Sequence, residues 1–163
     1  MPPSDGSSPG GRILALWRRL DPVPGGRWLF HRILWRQVPY SGSTGAKIVT
    51  LEPGRTVVEL PDRRRVRNHL RSVHAVALAN VGELASGIAM LTALPRNVRG
   101  IVVRMEVEFT KKARGTVWAS SRVDVPEVRS ALEHPVSAEI RDGNDERVAR
   151  VRVVWRLAPR EGS

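Results

Sequence analysis

The chain has 163 residues, 41% of them hydrophobic, which is the size and apolar content of one globular domain and excludes global disorder. It contains no cysteine, so a disulfide scaffold, a Cys-ligated zinc site and a cysteine nucleophile are all excluded. Its net charge of +11 points to an anionic partner, either nucleic acid, an anionic membrane surface or a phosphate-rich ligand such as coenzyme A, unless the Arg-rich composition is only a coding bias.

Nucleic acid is not expected, because no zinc-finger spacing, helix-turn-helix pair or aromatic strand platform is present. Residues 1–11 are Pro, Gly and Ser with one Asp, and read as a flexible leader; with no basic or apolar run they are not a secretory signal. Residues 12–20 and 27–38 read as helices separated by the breaker run from Asp21 to Gly26. Phe30, Ile33 and Leu34 share one face of the second helix, away from most of its Arg residues. This extension, residues 12–45, is either a helical cap on the main domain or a basic amphipathic segment touching a membrane surface. Residues 40–45 read as a loop.

From residue 46 the period changes to that of strands. Residues 47–52 and 55–60 flank Pro53-Gly54 as a hairpin, and the Arg-dense stretch 61–71 is a loop. Residues 73–94 form the longest apolar segment, a helix with Ser72 as its expected N-cap, ended by Pro95. It has the length of a membrane span, but His74, Asn80 and Glu83 argue against that reading. Four further segments alternate apolar and charged residues: 103–110, 116–125, 136–141 and 149–157. Turns at Ala113-Arg114-Gly115 and Gly143-Asn144 are expected as hairpin links. Residues 159–163 read as a tail. The order is two strands, one long helix and four strands. An antiparallel sheet with one dry face must be covered, and the long helix is the only element able to cross it. The expected class is α+β, with a main domain over residues 46–158.

The candidate chemistry lies between Asn68 and Glu83. Free backbone N–H groups and the positive dipole end at the start of the long helix can bind a developing oxyanion, with the Ala75 N–H the candidate donor. Glu83 follows His74 by nine residues on a largely apolar helix, where poor hydration raises a carboxylate pKa and suits it as base or nucleophile. The Asn68 amide can hold a water or a carbonyl oxygen. Plainer roles stand beside these: Glu83 paired with an Arg of the 63–71 loop, His69 and His74 as capping or packing groups, Asn68 as a turn former.

The spacing resembles the hotdog-fold thioesterases of the phenylacetate-degradation type. Asn68 and His69 match their Asn-His pair, His74 the His of their His-Gly-Gly, and Glu83 their carboxylate nine residues later. Val107 to Gly115 resembles their strand leading into a basic turn, so the likeness covers about residues 46 to 157. Ala75 and Val76 replace the two glycines, and with Glu in place of the commoner Asp the chain is most similar to an uncharacterised hotdog subfamily. The resemblance implies a sheet wrapped around one central helix and hydrolysis of an acyl-CoA thioester. Glu83, Asn68 and His74 would be catalytic, and Ala75 the oxyanion donor. The CoA phosphates would go to Arg65, Arg67 and Arg71, or to Lys111, Lys112 and Arg114. It implies no metal, no cofactor beyond CoA as part of the substrate, a homodimer or homotetramer, and a cytoplasmic location. A non-catalytic acyl or CoA-ester binder, or a membrane-surface protein using the N-terminal helices, are the alternatives.

Overall fold

In the computed structural model, which describes residues 8–160, the chain runs α1 (Pro9–Leu20), α2 (Gly26–Gln37), α3 (Pro39–Thr44), β1 (Lys47–Glu52) and β2 (Arg55–Leu60). It continues through α4 (Ala75–Ala93), β3 (Val98–Phe109), β4 (Val117–Arg122), β5 (Leu132–Arg141) and β6 (Arg147–Pro159). Of the expected leader, residues 1–7 lie outside the described residues. The next four are ordered by a cap: Ser8 accepts the Gly11 N–H at 3.0 Å and Pro9 begins α1. The expected loop at 40–45 is instead the short helix α3. Pro39 sets its first φ, and the Ser43 and Thr44 hydroxyls donate to the Tyr40 and Ser41 carbonyls at 2.6 and 2.7 Å.

Six antiparallel strands form one sheet in the order β1-β2-β4-β5-β6-β3. The hairpins at Pro53-Gly54 and Gly143-Asn144 form as expected. The turn at Ala113-Arg114-Gly115 does not make a hairpin, because β3 pairs with the long β6 while β4 pairs with β2 and β5. That connection is tied down elsewhere: Ala113 is buried and its carbonyl accepts the Val73 N–H at 2.9 Å.

Helix α4 packs against β2, β4, β5 and β6, meeting Val58, Leu60, Ala119, Ala138, Ile140, Val151 and Val153 within the one continuous core. Helix α1 covers its other side, so α4 is apolar nearly all round. Its composition would suit a membrane span, yet most of it is enclosed by the protein itself. A sheet wrapped around a central helix is the hotdog fold, and the expected α+β class is the observed one.

The two sheet edges differ. At β1 the Ile48 N–H donates to His31 Nε2 of α2 at 2.9 Å, so the extension covers that edge. At β3 the edge is open: Ile101 is 65% exposed, and Val103, Met105 and Phe109 are exposed beside it. The alternation of β3 therefore does not give a dry face along the whole strand, because α4 lies over the other strands.

Candidate active site

The start of α4 is held by a loop that folds back on itself. Asn68 Oδ1 accepts the Leu70 and Ser72 N–H groups at 2.9 and 3.1 Å and the Ser72 hydroxyl at 3.2 Å. Arg71 takes a left-handed φ of 57° within this turn. Asn68 thus builds the turn with its carbonyl oxygen, and its amide nitrogen is the atom left to reach outward. With Ser72 engaged in this way, it is not the N-cap. Val73 bridges to Arg67, the His74 N–H donates to the Val66 carbonyl at 2.8 Å, and the backbone stays extended through His74.

His74 is the N-cap. Its Nδ1 accepts the Val76 N–H at 3.1 Å, which leaves Ala75 as the first helical residue. The Ala75 N–H donates to no acceptor among the described residues, and Ala75 is exposed. An N–H in the first turn, aligned with the positive end of a helix of 19 residues, is a candidate oxyanion donor by position.

Glu83 sits on the flank of α4 that faces β6. Its Oε1 lies 3.5 Å from where a Cβ on Gly87 would stand, and the Trp155 ring approaches the same point at 3.7 Å. Burial without a compensating cation pushes the Glu83 carboxyl up from its ordinary value. No ion pair or hydrogen bond to its carboxylate is formed among the described residues, so pairing with the 63–71 loop is not seen. The Trp155 indole N–H is buried and has no hydrogen-bond partner among the described residues. Trp155 belongs to the alternating segment 149–157, but nothing in the sequence signalled that it flanks the carboxylate.

The candidate phosphate ligands divide. Arg67 is held by Asp62 through two bonds of 2.6 and 2.7 Å, which pulls that carboxyl down in pKa. Lys111 is paired with Asp142 at 2.8 Å and with Glu146. Arg65, Arg71, Lys112 and Arg114 are exposed and without an ion pair among the described residues.

Two grooves meet α4 at its N-terminus. One, of about 270 Å3, brings together Asn68, Ala75, Lys111 and Lys112 beside Phe109 of the open edge. The other, of about 390 Å3, holds His74, Val76 and Arg65 beside Tyr40. Glu83 lies in neither. Eight residues separate it from Ala75, about 12 Å at a rise of about 1.5 Å per residue. One chain cannot bring both groups to a single carbonyl carbon.

Among solved structures, a structural-genomics protein, APC5556, is 28% identical over 93% of this chain and 99% of its own, with a TM-score of 0.78. PA5026 from Pseudomonas aeruginosa, described as a probable thioesterase, is 23% identical over 85% of this chain and 97% of its own (TM-score 0.73). The phenylacetic acid degradation protein PaaI from Thermus thermophilus is 18% identical over 72% of this chain and 97% of its own (TM-score 0.62). The last two likenesses establish the fold alone. No curated protein matches the chain. The family model described as a domain of unknown function (DUF4442) matches residues 26–157, taking in α2, the sheet and α4, and the chain therefore belongs to that family.

Proposed function

We propose that the protein is a thioester hydrolase acting on an acyl-CoA in a site shared by two subunits. The observation that carries this reading is the pairing, on one helix, of an unengaged N-terminal N–H at Ala75 with a half-buried, unpaired carboxylate at Glu83. The separation of about 12 Å along α4 is what calls for a second subunit, since the two groups must come from different copies to act on one thioester. The open β3 edge, apolar at Ile101, Val103 and Met105, is the surface through which two copies would pair into a continuous sheet.

In the reaction, the Ala75 N–H receives the thioester carbonyl oxygen as it gains negative charge. Glu83 of the other copy takes a proton from water, and the water oxygen bonds to the carbonyl carbon. The C–S bond then breaks, and the leaving sulfur takes the proton that Glu83 holds, giving a carboxylic acid and a free thiol. The Asn68 amide donates to the water or to the carbonyl oxygen. Lys112 in the groove beside Phe109, and exposed Arg114 two residues on, neither ion-paired among the described residues, supply cations for the phosphates. The reading needs no metal or bound cofactor, and it sets the protein in the cytoplasm.

Binding without turnover is the second reading. It is favoured by the side chains at Ala75 and Val76, since Val76 stands 55% exposed in the turn where a carbonyl must approach the backbone. Assay against a panel of acyl-CoA thioesters decides. The hydrolase reading expects turnover that Glu83→Gln lowers by at least about 100-fold, the scale of a general base. Tight binding by calorimetry with no turnover, in wild type and variant alike, establishes the second reading instead.

A further inference from the structure

A cleft of about 550 Å3 lies between α2, the turn after α3 and the outer strands β1 and β2, away from the groove that holds Asn68 and Ala75. Its size is that of a small-molecule site, on the order of 300–1,000 Å3. Arg27, Arg32, Lys47, Arg63 and Arg65 line it, with Glu59 as the acidic residue among them. Lys47 meets Glu59 at 3.4 Å and Arg27 meets Asp21 at 2.6 Å, so these two cations are answered. Arg63 and Arg65 are not answered by any carboxylate among the described residues.

These two arginines converge. A Cβ added at Gly45 would lie 2.9 Å from Arg63 Nη1 and 3.3 Å from Arg65 Nη2, so the guanidinium groups meet over the glycine within about 6 Å of each other. Like charges this close repel, and an anion seated between them would relieve that repulsion. Gly45 has a φ of 77°, which favours glycine, and its missing side chain leaves the space between the forks open. Planar groups stand on the same cleft: Arg32 lies over the exposed Trp28 ring at 5.0 Å, and His31 stacks on Trp35 at 5.7 Å.

We propose that this cleft is a nucleotide-binding site, with the phosphate clamped by Arg63 and Arg65 over Gly45 and the base laid against the exposed ring of Trp28. Paired guanidinium forks match phosphate oxygens, and aromatic faces take a base without regard to its identity. Arg65 also lines the groove that reaches His74, so the nucleotide lies next to the start of α4. An anionic lipid headgroup offers the same phosphate, and an exposed Trp also suits a membrane interface, so the vesicle arm of the test separates the two sources. The assignment shares Arg65 with the expected CoA-phosphate ligands but not the groove of Asn68 and Ala75, and its readouts do not require thioester hydrolysis.

Calorimetry and tryptophan-fluorescence titration of the full chain test it, with ADP, adenosine, inorganic phosphate and phosphatidylcholine vesicles containing phosphatidylglycerol as probes. ADP should bind saturably, at least about tenfold more tightly than adenosine or inorganic phosphate, because neither supplies both halves of the contact. The double variant Arg63→Ala/Arg65→Ala should lower ADP affinity by at least about 30-fold, and Trp28→Ala by about fivefold with reduced quenching. All three residues are exposed, and matching thermal melts establish that the variants fold. Absence of saturable ADP binding, or equal affinity in the arginine variant, overturns the proposal. Vesicle binding without ADP binding overturns it in favour of a lipid headgroup. Inorganic phosphate binding as tight as ADP overturns the role of the rings. Thioester hydrolysis plays no part in these readouts, so the two proposals fail separately.

Discussion

Glu83 is the residue on which most of the proposed chemistry turns, and its environment makes a pH prediction with a definite sign. Burial raises its folded pKa above the ordinary 4.5, so the folded protein holds a proton that the unfolded chain releases. The carboxyl therefore costs no stability below pH 4.5, and stability is lost as pH rises from there through the folded pKa. Glu83→Gln should melt higher than wild type at pH 7, with the difference closing below about pH 4.5; thermal melts across that range measure it. Activity should run the opposite way, with kcat/KM rising as Glu83 ionises. At Asn68 a pair of substitutions separates the two jobs of one side chain. Asn68→Asp keeps an acceptor for the Leu70 and Ser72 donors but loses the amide, so it should keep its melting temperature while kcat/KM falls about tenfold. Asn68→Ala should lose both, with a stability cost of roughly 1–3 kcal/mol from unsatisfied donors. The residue types at 68, 74 and 83 were legible in the chain, since spacing alone brought them forward. That Asn68 and His74 line separate grooves and Glu83 neither of them was not, because a helix spreads residues along its axis while sequence spacing reports only their order.

At the scale of elements, α4 shows how closely helix and sheet must approach. A Cβ on Gly82 would meet the Val151 side chain, with Val151 Cβ at 2.7 Å, and one on Gly10 of α1 would run into the Leu91 carbonyl of α4. Both are packing glycines, and neither has a positive φ. Gly82→Ala should lower stability by roughly 1–3 kcal/mol through overpacking, read as a shift in the urea midpoint. The existence and length of α4 were readable from its apolar run and from Pro95. Its cap was not: Ser72 is the better cap residue by type, but the bond network of Asn68 captures it, and His74 takes the position. The hairpin expected at Ala113 failed for a related reason. Turn chemistry is local, whereas β3 and β4 choose neighbours by which partners are free across the sheet.

For the molecule as a whole, the unequal edges of the sheet carry the prediction. The N-terminal extension covers β1, whereas β3 presents exposed Ile101, Val103 and Met105. Light scattering should find at least a dimer. Val103→Lys/Met105→Lys should yield a folded monomer that has lost hydrolysis, since Ala75 and Glu83 would no longer face each other across two copies. A monomeric wild type, or a monomeric variant that keeps full activity, rejects the shared site. What the amino-acid sequence determined by itself was the set of parts. It set the strands by period two, the long helix by its unbroken apolar run, the antiparallel α+β plan by their order, and Asn68, His74 and Glu83 as groups at a recognisable spacing. These follow from local periodicity and covalent order. The tertiary structure alone decided which strands are edges, that Arg67 and Lys111 are occupied by carboxylates while Arg63 and Arg65 converge with no carboxylate partner among the described residues, and that Glu83 is desolvated beside Trp155. Those outcomes depend on distances between residues remote in the chain, which only packing sets.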